Sequence, residues 1–546
     1  MGILDWITIA IFSVAVLVTG ISLTRTGRDL KGFFGGGGNV PWALSGLSLF
    51  MGFFSAGTFV VWGSIAYSSG MVAIVIQLTM SFAGFFVGSF IAGKWQKTGC
   101  LTAAEYVGCR FGERTKKMYT YLFLVISIFT TGSFLYPVGK IIEVATGVPL
   151  TYSIVILGLF CIAYVSFGGL RGVMVTDVLQ FVILFTALVI VIPLSFDKIG
   201  GVRSFLEGAP ERFFQPFNEE YTPWFILAFC IYNSVFLGGN WAYVQRYTSV
   251  RDEKSARKVG WLFGVLYLFS PVLWMLPPMI YRIYNPGLAA LDNENAYLLM
   301  CKEALPAGLL GLMLGGMVFA TASSLNATLN ISAGVFTHDI YKHLFPRTPD
   351  KRLVRVARVS TIGFGVLAIV VALCVKYMGG IVNVVISIAA LTGAPLYLPL
   401  IWSLYSKRQN AATVTGVTLV SLAVNLLFKF VTPLFGLALS RGGEMLLGTL
   451  VPLALLACTE MILCRRKYID PRYQASYHAG DEQPDGAHGE EDNVFTLRVI
   501  GISILTAGFA ILVLGLASKG ARVAASVAGG VVMAAGAGIL IKSMQK

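Results

Sequence analysis

The sequence predicts an all-α polytopic membrane protein, and three observations carry that prediction. Its 546 residues are 56% hydrophobic and only 12% charged, with a mean hydropathy of +0.76, whereas ordinary soluble domains are about 25% charged. About 15 apolar stretches follow one another, most of them long enough for a hydrocarbon core ~30 Å thick. Finally, 30 of the 41 Lys and Arg residues fall in one set of alternate loops and 10 in the other, with Lys429 inside a span. That asymmetry places the N-terminus outside and the C-terminus in the cytoplasm of a plasma membrane of bacterial inner-membrane type. The 60 glycines suit closely packed membrane helices. The net charge of +14 is no nucleic-acid signal, because the chain has neither a basic tail nor a basic patch interleaved with aromatics. The 8 cysteines show no CxxC spacing, so neither a disulfide framework nor a metal site is expected.

In chain order, 1–43 holds a peripheral first span (3–23) and a basic loop. Its leader, MGILDW, carries an acid and no base, so it does not read as a cleaved signal peptide. Residues 44–194 hold spans at 44–68, 71–93, 118–145, 149–167 and 173–194, and an extracellular loop covers 195–221. Residues 222–409 hold spans at 222–244, 259–281, 306–338, 354–376 and 380–404. These are two five-helix halves, because glycines interrupt the leading helix of each: Gly52, Gly57 and Gly63 in one, Gly238 and Gly239 in the other. Paired interruptions of this kind point to unwound helices around a site at the membrane midplane. Two peripheral spans (411–432 and 443–463) occupy 410–465, a cytoplasmic linker covers 466–496, and two last spans (497–517 and 521–541) fill 497–546. The stretch 470–493 has no apolar run and is expected to be a disordered loop.

The ninth span, within LPAGLLGLMLGGMVFATASSLNATLNISAGVFTHDIYK, starts apolar and then turns into a run of small polar residues, Thr321, Ser323, Ser324, Asn326, Thr328, Asn330 and Ser332. A helix in lipid satisfies its own backbone and does not need these hydroxyls. Two readings stand. Ser323 and Ser324, with carbonyls around Ala320, offer oxygen to a small hard cation; or they are helix-packing residues bonded back to the preceding turn. Asp177 has two readings of its own, helping to bind a cation or pairing with a base. Lys140 and Arg282 are expected to snorkel to the surface; Lys429 does the same or lines a cavity. His338 and Asp339 read as solvated or capping.

No acid sits at the centre of a glycine-broken helix, and no arginine lies in the middle of a core span. What remains is uncharged: Ser55, Thr58, Gln77, Asn233, Ser234, Tyr267 and Ser387, beside Phe53, Trp62 and Phe236. Neutral hydrogen-bonding groups with aromatic faces suit a polyhydroxylated neutral solute such as a sugar; the competing reading makes Gln77 and Asn233 helix–helix contacts. No nucleophile–base pair or phosphate loop supports an enzyme.

Four segments in order carry a family resemblance: SAGTFVVWGSIAYSSG, FGGLRGVMVTDVLQ, NWAYVQRYTSVRDEKSARK and ATASSLNATLNISAGVFTHDIYK. Over 1–465 the chain resembles the sodium/solute symporter family, which includes the sodium/glucose cotransporters. The resemblance implies a five-plus-five inverted-repeat core with peripheral helices, alternating access, and transport driven by sodium. It assigns the sodium ligands to Met51, Phe54, Ala320, Ser323 and Ser324. A second sodium site found in some members maps to Asp177, Ser323 and Asn326, with Ala327 where the family has a serine, so one sodium per solute is expected. The family's solute positions map to Thr58, Gln77, Asn233, Phe236 and Tyr267; Ser387 joins them from its own chemistry. Several of these differ from the glucose and galactose pattern, which leaves a small neutral polar solute, a sugar or polyol. Alternatives are sodium-coupled uptake of a sialic acid, amino acid or vitamin-like solute, although the arginine of the sialic-acid members has no counterpart, or a transporter-like sensor. The last two spans exceed the usual count by one.

Overall fold

The computed structural model describes residues 1–22, 38–100, 102–164, 170–437, 439–475, 486–518 and 520–545; within them, the side chains of Ser323, Asn326, Ala327, His338 and Asp339 lie outside the described set. The chain is a bundle of helices. In order they are α1 (Ile3–Ser22), α2 (Trp42–Met51), α3 (Gly63–Ser69), α4 (Met71–Lys97), α5 (Ala103–Phe111), α6 (Glu113–Thr146), α7 (Leu150–Tyr164) and α8 (Leu170–Lys198). Then follow α9 (Pro223–Gly239), α10 (Trp241–Thr248), α11 (Glu253–Tyr284), α12 (Ala296–Ala304), α13 (Leu309–Val335), α14 (Asp350–Cys374) and α15 (Gly380–Ser403). The last are α16 (Ala411–Phe435), α17 (Arg441–Arg465), α18 (Gly486–Ala517) and α19 (Arg522–Met544). Among the described residues 10 helices are long and apolar enough to cross a membrane, 11 if α9 and α10 count as one span bent by 58°. Shorter apolar helices occupy Ile3–Val16, Trp42–Met51, Leu150–Leu159 and Leu309–Ala322.

The first repeat is α2/α3, α4, α6, α7 and α8, and the second is α9/α10, α11, α13, α14 and α15; α1 and α16 to α19 lie around them. In lipid there is no hydrophobic force between helices, so close packing depends on small residues. Between α4 and α11 backbone meets backbone: a Cβ at Gly84 would lie 2.6 Å from Gly264 Cα, and one at Gly260 would lie 2.5 Å from Gly88 Cα. Between α6 and α14, Gly132 leaves room for Val371. In the C-terminal hairpin, Gly508 of α18 and Gly529 and Gly536 of α19 let those two helices touch along their length.

Three expectations change. The linker is not free from residue 470 on. Asp470 is buried beside Arg110, whose Nη1 lies 2.5 Å from its carboxylate, and Arg110 also donates to the carbonyls of Ser406 and Gln409. A fully buried guanidinium needs a counter-charge, and Asp470 supplies it. Helix α18 already begins at Gly486, and 476–485 lie outside the described residues. Lys140 does not snorkel free: it is buried and pairs with Glu143 at 3.4 Å. Lys429 pairs with both carboxylate oxygens of Glu444, at 2.7 and 2.8 Å.

Candidate functional site

The first break follows Met51. The chain leaves the helix over 52–55 and resumes it at Ala56. The restarted helix exposes N–H groups that need acceptors. Ser55 N donates to Thr58 Oγ1 at 3.2 Å, and Ala56 N donates to Thr321 Oγ1 on α13 at 2.7 Å. Thr321 in turn donates to Met317 O at 2.8 Å, and Thr58 donates to Phe53 O at 2.8 Å. Met51 O accepts from Phe54 N at 3.1 Å, and among the described residues no side-chain donor reaches the carbonyl of Met51 or of Phe54. Ala320, next to Thr321, is buried, and Ser324 Oγ is 3.4 Å from Ala320 O. The Ala56–Thr321 bond thus brings the expected sodium ligands Met51, Phe54, Ala320 and Ser324 to one junction. Ser323 shares that turn of α13, with its side chain outside the described set.

The second break separates α9 from α10. Asn240 leaves the helical conformation (φ −64°, ψ 130°); its carbonyl oxygen accepts from Ala242 N at 3.0 Å and its amide donates to Tyr397 Oη on α15 at 3.2 Å. The last carbonyls of α9 are covered. Leu237 O accepts from Tyr247 Oη at 3.1 Å, and Gly238 O accepts from Trp95 Nε1 at 2.7 Å.

Between the breaks lies a cavity of about 180 Å³ with no charged residue among the described residues of its lining. Of the residues the sequence singles out for the solute, Thr58, Gln77, Asn233, Phe236 and Tyr267 line it and Ser387 does not. Gln77 is 3% exposed, and its amide has no hydrogen-bond partner among the described residues. A buried amide left in that condition costs about 1–3 kcal/mol unless a ligand or water satisfies it. Asn233 Nδ2 donates to Thr79 Oγ1 at 2.8 Å, while the Thr79 hydroxyl donates to Ile76 O at 2.6 Å. Thr79 can then only accept, so the nitrogen end of Asn233 must face it and the carbonyl end is what Asn233 can offer the cavity. Thr58 lines the cavity, and its hydroxyl donates once and accepts once in holding the break, which leaves it one lone pair. Tyr267 packs among Phe50, Phe53, Phe263 and Trp274.

The aromatic floor was not visible in the sequence. Phe53 stacks on Tyr243 with centroids 4.4 Å apart, and Phe236 meets Tyr232, Tyr243 and Tyr397 at 5.4, 5.6 and 5.8 Å. Asn240 and Tyr243 sat within a recognisable segment, but only the bend after Gly239 shows that they face the cavity. Beneath this floor a second cavity of about 70 Å³ shares Gly52, Asn240, Tyr243 and Tyr397 with the first and reaches Asp177, Arg246, Ser324 and Thr328. Asp177 accepts from Ser48 Oγ at 2.6 Å; Arg246 is buried and donates to Ala242 O at 2.7 Å. Both readings of Asp177 therefore find a counterpart here, hydroxyl oxygens on one side and a guanidinium on the other. Asn326 lies outside the described side chains.

A family model described as the sodium:solute symporter family matches residues 33–416. The chain is 27% identical over 473 residues to a sodium/glucose cotransporter of Vibrio parahaemolyticus, covering 79% of this chain and 86% of that protein. It is 28% identical over 454 residues to sodium/myo-inositol cotransporter 2 of Bos taurus, covering 74% and 67%. Among solved structures, a Na+-coupled sialic acid symporter in its substrate-bound outward-open state aligns with a TM-score of 0.72 and 22% identity, over 84% of this chain and 98% of that one, a likeness of fold.

Proposed function

The chain belongs to the sodium:solute symporter family, and on that premise we propose that it imports a small neutral polar solute, a sugar or polyol, by alternating access. Sodium is the coupled ion. The observation that carries the solute class is the uncharged cavity with Gln77 buried and unpartnered in its wall. A carboxylate-bearing solute would call for a guanidinium or a free helix N-terminus facing its charge; among the described residues the lining holds no Arg or Lys, and the Ser55 and Ala56 N–H groups of the restarted helix are already taken by Thr58 and Thr321. A ring of hydroxyls suits an amide that donates and accepts, an Asn233 carbonyl that accepts, and aromatic walls that exclude water. The relatives that act on glucose and myo-inositol agree with this reading.

We assign the sodium to the carbonyls of Met51, Phe54 and Ala320 and the hydroxyls of Ser323 and Ser324, and one sodium per solute. The second-site carboxylate, Asp177, shares its small cavity with Arg246, whose positive charge opposes a second cation there. The basic loops face the cytoplasm on the charge-asymmetry argument.

The test is uptake of labelled myo-inositol, glucose and N-acetylneuraminate in proteoliposomes, with and without an inward sodium gradient. Sodium-dependent uptake of a neutral polyol or sugar is expected. Gln77→Ala should raise its half-saturation about tenfold, as loss of a buried hydrogen-bonding partner implies. Tight sodium-dependent uptake of only the carboxylate, unchanged by Gln77→Ala, would reject the neutral-solute reading.

A further inference from the structure

Helix α13 is closed at its start by a residue from another helix. It begins after Gly308 (φ 90°) with no side-chain cap of its own. The first N–H groups of a helix have no acceptor within it. Here Asp5 of α1 supplies one: Gly308 N donates to Asp5 Oδ1 at 2.6 Å and Gly311 N donates to the same oxygen at 3.0 Å. The other oxygen, Oδ2, accepts from Gly2 N at 2.8 Å. Asp5 is 1% exposed, and among the described residues no basic side chain pairs with it. The carboxylate thus meets N–H donors and the positive end of the helix they begin. The glycines make the approach feasible. A Cβ at Gly311 would collide with the backbone of Asp5, and one at Gly315, the next turn down, would press on Ile9.

We propose that Asp5 is a positioning residue for sodium: through this one carboxylate, α1 sets the axial position of α13 and so of the oxygens at Ala320 and Ser324 against the first break. This rests on the assignment of sodium to that junction. Helix α13 is continuous from Leu309 to Val335. A shift at its start therefore passes undiminished to Ala320, about 18 Å along the axis at ~1.5 Å per residue. At the junction the partner is fixed, because Ala56 N must reach Thr321 Oγ1 at 2.7 Å, and a hydrogen bond tolerates only a few tenths of an ångström. Oxygens contributed by two separate elements meet in register only while α13 is held at its far end.

The experiment measures proteoliposome transport by the full chain for Asp5→Leu, Asp5→Asn and Asp5→Glu. Sodium half-saturation is read at saturating solute, and solute half-saturation at saturating sodium. Asp5→Leu should raise the sodium value about tenfold and leave the solute value within about twofold, the loss expected of a buried cap. Asp5→Asn keeps an oxygen for both N–H groups and should return the sodium value to near that of the parent. Asp5→Glu keeps the carboxylate but pushes α13 by up to a methylene, so an intermediate rise is expected; it also decides the matter if Asp5→Leu fails to insert. Equal changes in both half-saturations, or none in either, overturn the proposal. Failure of the sodium assignment looks different: Ser324→Ala would then leave sodium activation intact, whereas failure of this inference alone leaves Ser324→Ala defective and the Asp5 variants normal.

Discussion

At the first break, between Met51 and Ala56, side chains take two N–H groups and one carbonyl, Phe53 O; at the second, around Asn240, they cover two carbonyls at the end of α9. Thr58 and Thr321 take the N–H groups of Ser55 and Ala56, and no side-chain donor among the described residues is spent on Met51 O or Phe54 O. At the second break Trp95 and Tyr247 occupy Gly238 O and Leu237 O. The ends of α2 and α9 both carry the negative pole of a helix and would both attract a cation. At the first, no side-chain donor among the described residues reaches Met51 O or Phe54 O, whereas at the second two of the terminal carbonyls already accept from one. Two glycine-interrupted helices in corresponding places are thus chemically different, and the difference is made by side chains on neighbouring helices rather than by the broken helices themselves.

The largest expected effect tests whether the first break is the ion's. Ser324→Ala removes one oxygen from a site with few ligands and replaces a hydroxyl by hydrogen at little packing cost. A ligand of that kind is worth about 1.5–3 kcal/mol, so sodium half-saturation should rise by roughly tenfold to a hundredfold while the purified protein melts as the parent does. Unchanged sodium activation of uptake would remove the contrast between the breaks.

A second, smaller effect separates the breaks by mutation. Thr321→Val leaves Ala56 N buried without its acceptor, a cost of about 1–3 kcal/mol, and should weaken sodium by about fivefold or more with a lesser effect on solute at saturating sodium. Asn240→Ala frees Tyr397 and should do the reverse. If the two variants shift sodium and solute in the same proportion, the breaks work as one unit and the contrast is wrong.

Much of this was legible in the sequence for definite reasons. Gly52 and the Gly238–Gly239 pair marked the breaks because glycine has weak helix propensity, although Gly238 and Gly239 also make room for Ile91 and Tyr397. Gly57 and Gly63 misled in detail. Both lie in resumed helix, and Gly63 makes room for the Tyr297 side chain. Gln77 announced itself because an amide within an apolar span needs a partner. The second task of Thr58 was hidden, because a threonine facing a cavity looks the same in sequence whether its hydroxyl is free or, as here, also bonded to Phe53 O and Ser55 N. Tyr243 and Tyr397 could not be found, since one arrives through the 58° bend and the other from a helix far along the chain. The cap on α13 was hidden for the same reason: Asp5 and Gly308 are distant in sequence, and the pairing lives in the packing of α1 on α13.

The smallest expected effect concerns α15, which carries Tyr397 to the second break and has no comparable tie to the first. Its start is held by Glu294, whose carboxylate accepts from Ile381 N and from Tyr136 Oη, each at 3.0 Å. Glu294 is 3% exposed. Burial raises its carboxyl above the usual range, against the opposing pull of the Ile381 and Tyr136 hydrogen bonds and the Lys140 charge. For an acid with a raised folded-state pKa, the stabilising contribution is present in full below the ordinary value of 4.5 and is lost as pH rises through the folded value. Folding stability should therefore fall as pH climbs from 4.5 through the raised folded value, and Glu294→Gln, which cannot ionise, should remove that dependence. Because α15 carries Tyr397 to the second break, solute half-saturation should drift upward over this window in the parent by more than sodium half-saturation does, and both should be flat in the variant. Thermal melting of the two purified proteins between about pH 4 and pH 7 gives the independent check: parallel curves would show that Glu294 is not the titrating latch, and a sodium half-saturation that drifts with the solute's would tie α15 to both breaks.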